Sequence, residues 1–222
     1  MFRRIVLGLC AAALAALALF YATLPDVRPL AKRFPTTTAF MERRREALAR
    51  SGVSTRLDWR PISLNRISPA LQRAVVAAED ARFFEHDGVD WVAIRGAALQ
   101  DWNRGKLSRG GSTITQQLAK NLYLSPSRTP WRKLREWAIA RRLEKKLTKR
   151  RILELYLNVV EFGPRTYGAE AAARRYFGKP ASALSRAEAA TLAATIPSPR
   201  IYDPIRHPSR VGRRARRILR WM

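Results

Sequence analysis

The chain has one cysteine in 222 residues, Cys10, and it lies within an apolar leader. Neither a disulfide framework nor a zinc cluster can be built from it, and cysteine usage says nothing about redox compartment. Acidic residues are also scarce, with 17 Asp plus Glu against 43 Lys plus Arg, a net charge of +26. That imbalance calls for a polyanionic partner, whether nucleic acid, anionic lipid or pyrophosphate, and charge alone does not choose among them. Alternating strand patterns are few, and there is neither a Pro-rich linker nor an internal repeat, so the soluble part reads as one mainly helical unit. A phosphate-binding P-loop is missing too, because no Gly-x-x-x-x-Gly-Lys-Ser/Thr spacing occurs.

What is present begins with a run of 20 uncharged residues, Ile5 to Leu24, flanked by Arg3 and Arg4 before it and Asp26 and Arg28 after it. This is about the length that crosses a hydrocarbon core, and longer than the roughly 7 to 15 residues of a cleaved signal's apolar region. The expectation is an uncleaved anchor over 1–24. Its orientation is not settled by charge, because Arg28, Lys32 and Arg33 balance Arg3 and Arg4. Residues 25–67 read as a membrane-proximal region with a helix from Ala39 to Arg50 capped by Thr38, followed by a loop or short strand at Trp59. The remainder, 68–222, reads as the functional domain.

Within that domain a helix is expected from Ser68 and Pro69 onward, with Leu71, Val75, Glu79 and Phe83 recurring every four residues on one face. A carboxylate on such a stripe costs several kcal/mol or takes up a proton, unless a partner, a polar cavity or a function accounts for it. Glu79 is therefore either a structural ion-pair member or a working acid or base. Further on, Arg109-Gly110-Gly111-Ser112-Thr113-Ile114-Thr115-Gln116-Gln117-Leu118-Ala119-Lys120-Asn121 combines two backbone-freeing glycines with a helix start capped by Thr113. Free amides at that terminus would suit an anion, and Lys120 lies one turn beyond Gln116. Thr129 and Pro130 start another helix, on which Lys133 and Glu136 share a face and, taken alone, form an ordinary surface pair.

Taken together, these segments resemble the signatures of the family 51 glycosyltransferases. Glu79, Asp80, Phe83, His86 and Gly88 match the first signature, and Gly110 to Asn121 fills the second. Arg132-Lys133-x-x-Glu136 matches the third, Ile152 to Asn158 the fourth, and Phe162 to Ala173 the fifth. The likeness spans roughly residues 37 to 205, with all five segments in the family's order. It implies a lysozyme-like helical catalytic domain that polymerises the glycan strands of bacterial peptidoglycan from lipid II, with inversion and release of undecaprenyl diphosphate. The absence of any Ser-x-x-Lys excludes a penicillin-binding transpeptidase within these residues.

By the same resemblance Glu79 is the general base and Glu136 the second catalytic carboxylate. Lys120, Arg128, Arg132 and Lys133 are the diphosphate ligands, and Ser112 and Gln117 line the sugar site. No obligate cofactor and no metal cage are expected, although diphosphate chemistry is compatible with a divalent cation. The implied partners are lipid II, the growing strand, membrane lipid, and other cell-wall synthesis or division proteins, with no nucleic acid. The implied location is the bacterial inner membrane, with a single span and the catalytic domain on the periplasmic side. A lytic transglycosylase or lysozyme-like enzyme is the alternative within the same fold class. A basic nucleic-acid-binding module or a membrane scaffold would leave Glu79 or the five segments without a reason. The basic tail, Arg210 to Met222, carries an apolar stripe of Val211, Ala215, Ile218, Leu219 and Met222, suited to a membrane surface, a nucleic acid or the domain itself.

Overall fold

The computed structural model describes residues 1–96, 111–127 and 129–222. Its longer helices are α1 (Phe2–Ala22), α2 (Ala39–Arg50), α3 (Pro69–Glu79), α4 (Ile114–Tyr123), α5 (Pro130–Lys146), α6 (Lys149–Val159), α7 (Ala169–Phe177), α8 (Arg186–Thr195) and α9 (Pro208–Trp221). Residues 91–96 are also helical, and the rest of the Trp91 to Trp102 segment lies outside the described residues. The expected mainly helical class is what the chain adopts.

Most helix starts follow the local chemistry. The hydroxyls of Thr38, Thr113, Thr129 and Thr148 each accept the N–H three residues on, and Ser185 with Glu188 forms a complete capping box. α7 ends where Gly178 takes a left-handed conformation at φ +69°. At its start Gly168 (φ +81°) approaches Asn158 so closely that a Cβ would sit 2.7 Å from the Asn158 carbonyl oxygen.

Two layers meet around one apolar core. α4 packs between α5 and α6, while α8 packs against both α3 and α9. Leu71, Val75, Ile114, Leu118, Ile139, Leu143, Ile152 and Leu155 fill the interior. The alanine face of α7 is wholly buried, as its small side chains imply. A three-stranded sheet closes one edge, in the order β1 (Asp58–Trp59), β3 (Thr166–Tyr167), β2 (Glu161–Gly163), with β1 and β3 parallel.

Residues 25–67 pack onto the remainder of the fold. The Trp59 indole donates to the Asn158 carbonyl at 2.7 Å, and the Asn158 side chain exchanges two 2.8 Å bonds with the Ile62 backbone. Arg151 donates to the Leu30 carbonyl at 2.7 Å. α1, by contrast, projects with none of its residues buried. Its 21 residues and mean hydropathy of 2.4 make it long and apolar enough to cross a membrane. Two arginines of α5 hold its end: Arg142 donates to the carbonyls of Tyr21 (2.6 Å) and Leu24 (3.0 Å), and Arg135 to that of Thr23 (3.0 Å).

One element differs from the periodic reading. α3 ends at Glu79, and Phe83 lies beyond it in a turn while remaining fully buried. Asp80 leaves the helix at φ −165°, because its carboxylate is recruited elsewhere: Oδ1 lies 2.9 Å from His86 Nε2, and Oδ2 accepts the Ile114 N–H at 2.9 Å.

Candidate active site

Glu79 is the last helical residue of α3, and its side chain is 10% exposed. Oε2 accepts from Gln117 Nε2 at 2.9 Å, while Oε1 lies 3.4 Å from Arg214 Nη2. Gln117 is itself fixed, since the buried Tyr156 hydroxyl donates to its Oε1 at 2.8 Å. With that oxygen occupied, the amide must present its NH2 group to Glu79, so α6 orients α4 and α4 orients the carboxylate. Burial pushes the Glu79 carboxyl above its ordinary value. The Gln117 bond and the charges of Arg214 and Lys120 pull it down, and Asp80 adds to the rise. A carboxylate held this way can take a proton from a bound hydroxyl.

A second cluster sits on α5. Glu136 is buried, with a side chain 3% exposed, and is clasped by Arg132 and by Lys133, whose ammonium lies 2.5 Å from Oε1. Lys133 also reaches Ser112 Oγ at 3.1 Å and Gln116 Oε1 at 3.2 Å, tying α5 to the start of α4. Lys133 and Glu136 are therefore more than a surface pair, because α5 turns Glu136 inward toward α4 while Lys133 stays half exposed. Lys120 makes no ion pair among the described residues and lies 5.8 Å from the centre of the Phe40 ring. Burial pushes its ammonium below the ordinary value, opposed chiefly by Glu136, and it also feels Glu79. It thus links the two carboxylates electrostatically.

The terminus of α4 holds an anion, but an internal one. Asp80 takes the Ile114 amide and Thr113 takes that of Gln116, while the Thr113 hydroxyl donates to the Gly88 carbonyl at 2.7 Å. These N–H groups, expected to be free for a ligand, instead brace the first segment against the second. The groups left to meet an external anion are then the cationic side chains beyond the terminus, not these amides.

Of the residues singled out from sequence, Glu79, Gln117 and Lys120 come together on one side, and Ser112, Arg132, Lys133 and Glu136 on the other. Arg128 lies outside the described residues. Gln117, expected at the sugar site, has its amide engaged by Glu79 and Tyr156. Sequence reasoning missed Tyr156, which reads as one more core residue of α6, and Arg214, which is one arginine among many in the tail. The sole signal for Arg214 is its place beside Ala215 on the apolar stripe. That stripe settles the tail within the domain, with Val211, Ala215 and Ile218 buried against the fold.

A cavity of about 1240 Å³ opens away from Glu79, between α1 and α5, with Leu17, Phe20, Trp91, Trp131, Leu134 and Trp137 in its walls. Phe20 meets Trp131 edge to face at 5.1 Å. The apolar surface of α1 therefore continues onto the rest of the fold.

Residues 45–222 match the Transglycosylase family model. The chain is 52% identical over 185 residues to the biosynthetic peptidoglycan transglycosylase of Nitrosospira multiformis, covering 83% of this chain and 80% of that protein. It is 49% identical over 188 residues to the protein of the same name from Laribacter hongkongensis, covering 85% and 82%. With that of Azoarcus sp. it shares 52% over 169 residues, covering 76% and 73%.

Proposed function

The chain belongs to the transglycosylase family and is a peptidoglycan glycosyltransferase, and we propose that it polymerises lipid II with Glu79 as the general base. The observation that carries this reading is the desolvated Glu79 carboxylate, held by Gln117 and Arg214 beside a cationic cluster. The growing strand is the donor, its anomeric carbon bonded to a lipid diphosphate. The acceptor is lipid II, whose sugar 4-hydroxyl gives its proton to Glu79 as its oxygen attacks that carbon from the opposite face. One C–O bond forms, the bond to the diphosphate breaks, and a β-1,4 linkage results by inversion. Base assistance of this kind contributes typically ~10² to 10⁴-fold.

The departing diphosphate gains negative charge as it leaves, so cations fixed nearby stabilise the transition state more than the ground state. Lys120 suits this task because it is largely desolvated and no carboxylate among the described residues neutralises it directly. Arg132 and Lys133, with Arg128 upstream, supply the remaining charge, while Glu136 holds the first two in place and Ser112 lines the sugar site. α1 anchors residues 1–24 in the inner membrane with 68–222 facing the periplasm and 25–67 bridging them, which confines the enzyme to the surface where its substrate resides. Other cell-wall synthesis or division proteins are the natural partners there.

The test is incubation of the purified full chain with labelled lipid II. Elongating strands with release of lipid diphosphate are expected. Shortening of existing strands without synthesis would favour a lytic enzyme and remove this reading.

A further inference from the structure

Among the described residues, the cation nearest Glu79 comes from none of the five signature segments but from the C-terminal helix. We propose that Arg214 is a positioning residue that keeps Glu79 ionised and aimed while substrate is bound, so that α9 completes the catalytic apparatus. This rests on the reading of Glu79 as the base.

The geometry is specific. α9 is fixed against α3 and α8 by Val211, Ala215 and Ile218, which places the 30%-exposed Arg214 side chain 3.4 Å from Glu79 Oε1. Gln117 occupies the other oxygen, so the carboxylate is held at both ends. Arg214 makes no other ion pair among the described residues, and its Nε is buried without a partner. Its charge is therefore not spent on a competing acid.

Among the described residues, the groups facing Glu79 are Arg214 from α9, Gln117 and Lys120 from α4, Tyr156 from α6 and Asp80 from the end of its own helix. Burial raises its pKa, while Arg214 and Lys120 lower it. In the substrate complex the two cations part company. A diphosphate at Lys120 cancels that charge and adds negative charge near Glu79, both of which favour protonation of the base. Arg214 then remains as the cation that opposes it.

The experiment compares pH profiles of kcat and kcat/KM for polymerisation by the full chain in detergent, for wild type, Arg214→Gln, Arg214→Met and Arg214→Lys. Loss of a charge within about 4–6 Å raises a carboxyl pKa, so the acid limb of the neutral variants is expected to move up by roughly one unit. The shift should be larger in kcat, which reports the substrate complex, than in kcat/KM. Their alkaline plateaus should come within a few-fold of wild type, and Arg214→Lys should keep the limb near its original place. An unmoved limb in the neutral variants, with activity lowered equally at all pH values or not at all, overturns the proposal. A limb displaced as far in Arg214→Lys as in Arg214→Gln does the same.

Should both neutral variants fail to fold, wild type at high salt decides. Screening of this partly exposed pair should raise the limb, and no movement counts against it. Glu79→Gln separates the two levels: if it is active, the base assignment itself falls, whereas if it is inactive and the limb stays unmoved, only the role of Arg214 falls.

Discussion

Glu136 is buried and the Glu79 side chain nearly so, within one electrostatic neighbourhood, yet the fold treats the two carboxylates in opposite ways. Glu136 is clasped by two cations on its own helix, Arg132 and Lys133. Glu79 receives a neutral amide and one guanidinium at 3.4 Å, and burial outweighs both. A carboxylate clasped by two cations organises them, whereas one short of charge partners is left free to meet a bound hydroxyl. The difference teaches that burial alone does not mark a catalytic acid or base; what matters is how completely the charge is compensated.

The largest expected effect breaks the Glu79 side. Glu79→Gln should lower polymerisation of lipid II by at least about 100-fold. Its effect on stability should be nil or favourable. A carboxyl whose folded pKa lies above its unfolded value contributes stability that is fully present below the unfolded pKa and is lost as pH rises through the folded value. At neutral pH the neutral isostere should therefore leave Tm unchanged or raise it, as differential scanning calorimetry would show.

Glu136→Gln should behave differently on both axes. Removing the anion leaves Arg132 and Lys133 facing each other, and breaking a buried pair costs about 3–5 kcal/mol, reduced here because Lys133 is 48% exposed. A lowered Tm accompanied by a large loss of turnover is expected. Equal melting of the two glutamine variants would erase the contrast. Lys120→Met sharpens it from the cationic side. Burial has already depressed this lysine's pKa, so its charged form is worse off in the fold than in the unfolded chain. Turnover should fall strongly while thermal unfolding stays at or above wild type. A phosphoglycerate-bearing inhibitor that mimics the diphosphate should also bind more weakly to this variant.

Smaller effects come from the supports. Tyr156→Phe removes the hydroxyl that orients Gln117, and a hydrogen bond of about 1 kcal/mol predicts a several-fold loss of rate with the fold intact. Deleting residues 1–19 should have the least effect in detergent at saturating substrate, because it leaves Leu24 in the core and the chemistry untouched. In liposomes at low substrate concentration the truncated chain should fall behind, since the anchor raises effective concentration. Equal efficiency there would separate the anchor from substrate capture.

Several of the helices are legible because their starts are written in single residues: Thr38, Ser68, Thr113 and Thr129 each cap one. Glu79 was legible because it interrupts an apolar period. The end of α3 was not, since it depends on Asp80 bonding to Ile114, which lies 34 residues away. Gln117 was placed at the sugar site because nothing local reveals a tyrosine 39 positions on. Arg214 was hidden for a related reason: in a chain with 43 basic residues, no single arginine stands out until the fold sets it opposite a carboxylate.

The central claim is that Glu79 is a desolvated carboxylate poised to accept a proton, and its most direct test does not require turnover. Titration of the full chain in detergent micelles, followed by carboxyl ¹³C signals and assigned by their loss in Glu79→Gln, gives the protonation midpoint of this one group. The account predicts a midpoint above the ordinary glutamate value of about 4.3, moving further upward when Arg214 is neutralised. A midpoint at or below that value would contradict it, and would return Glu79 to the status of an anchored ion-pair partner.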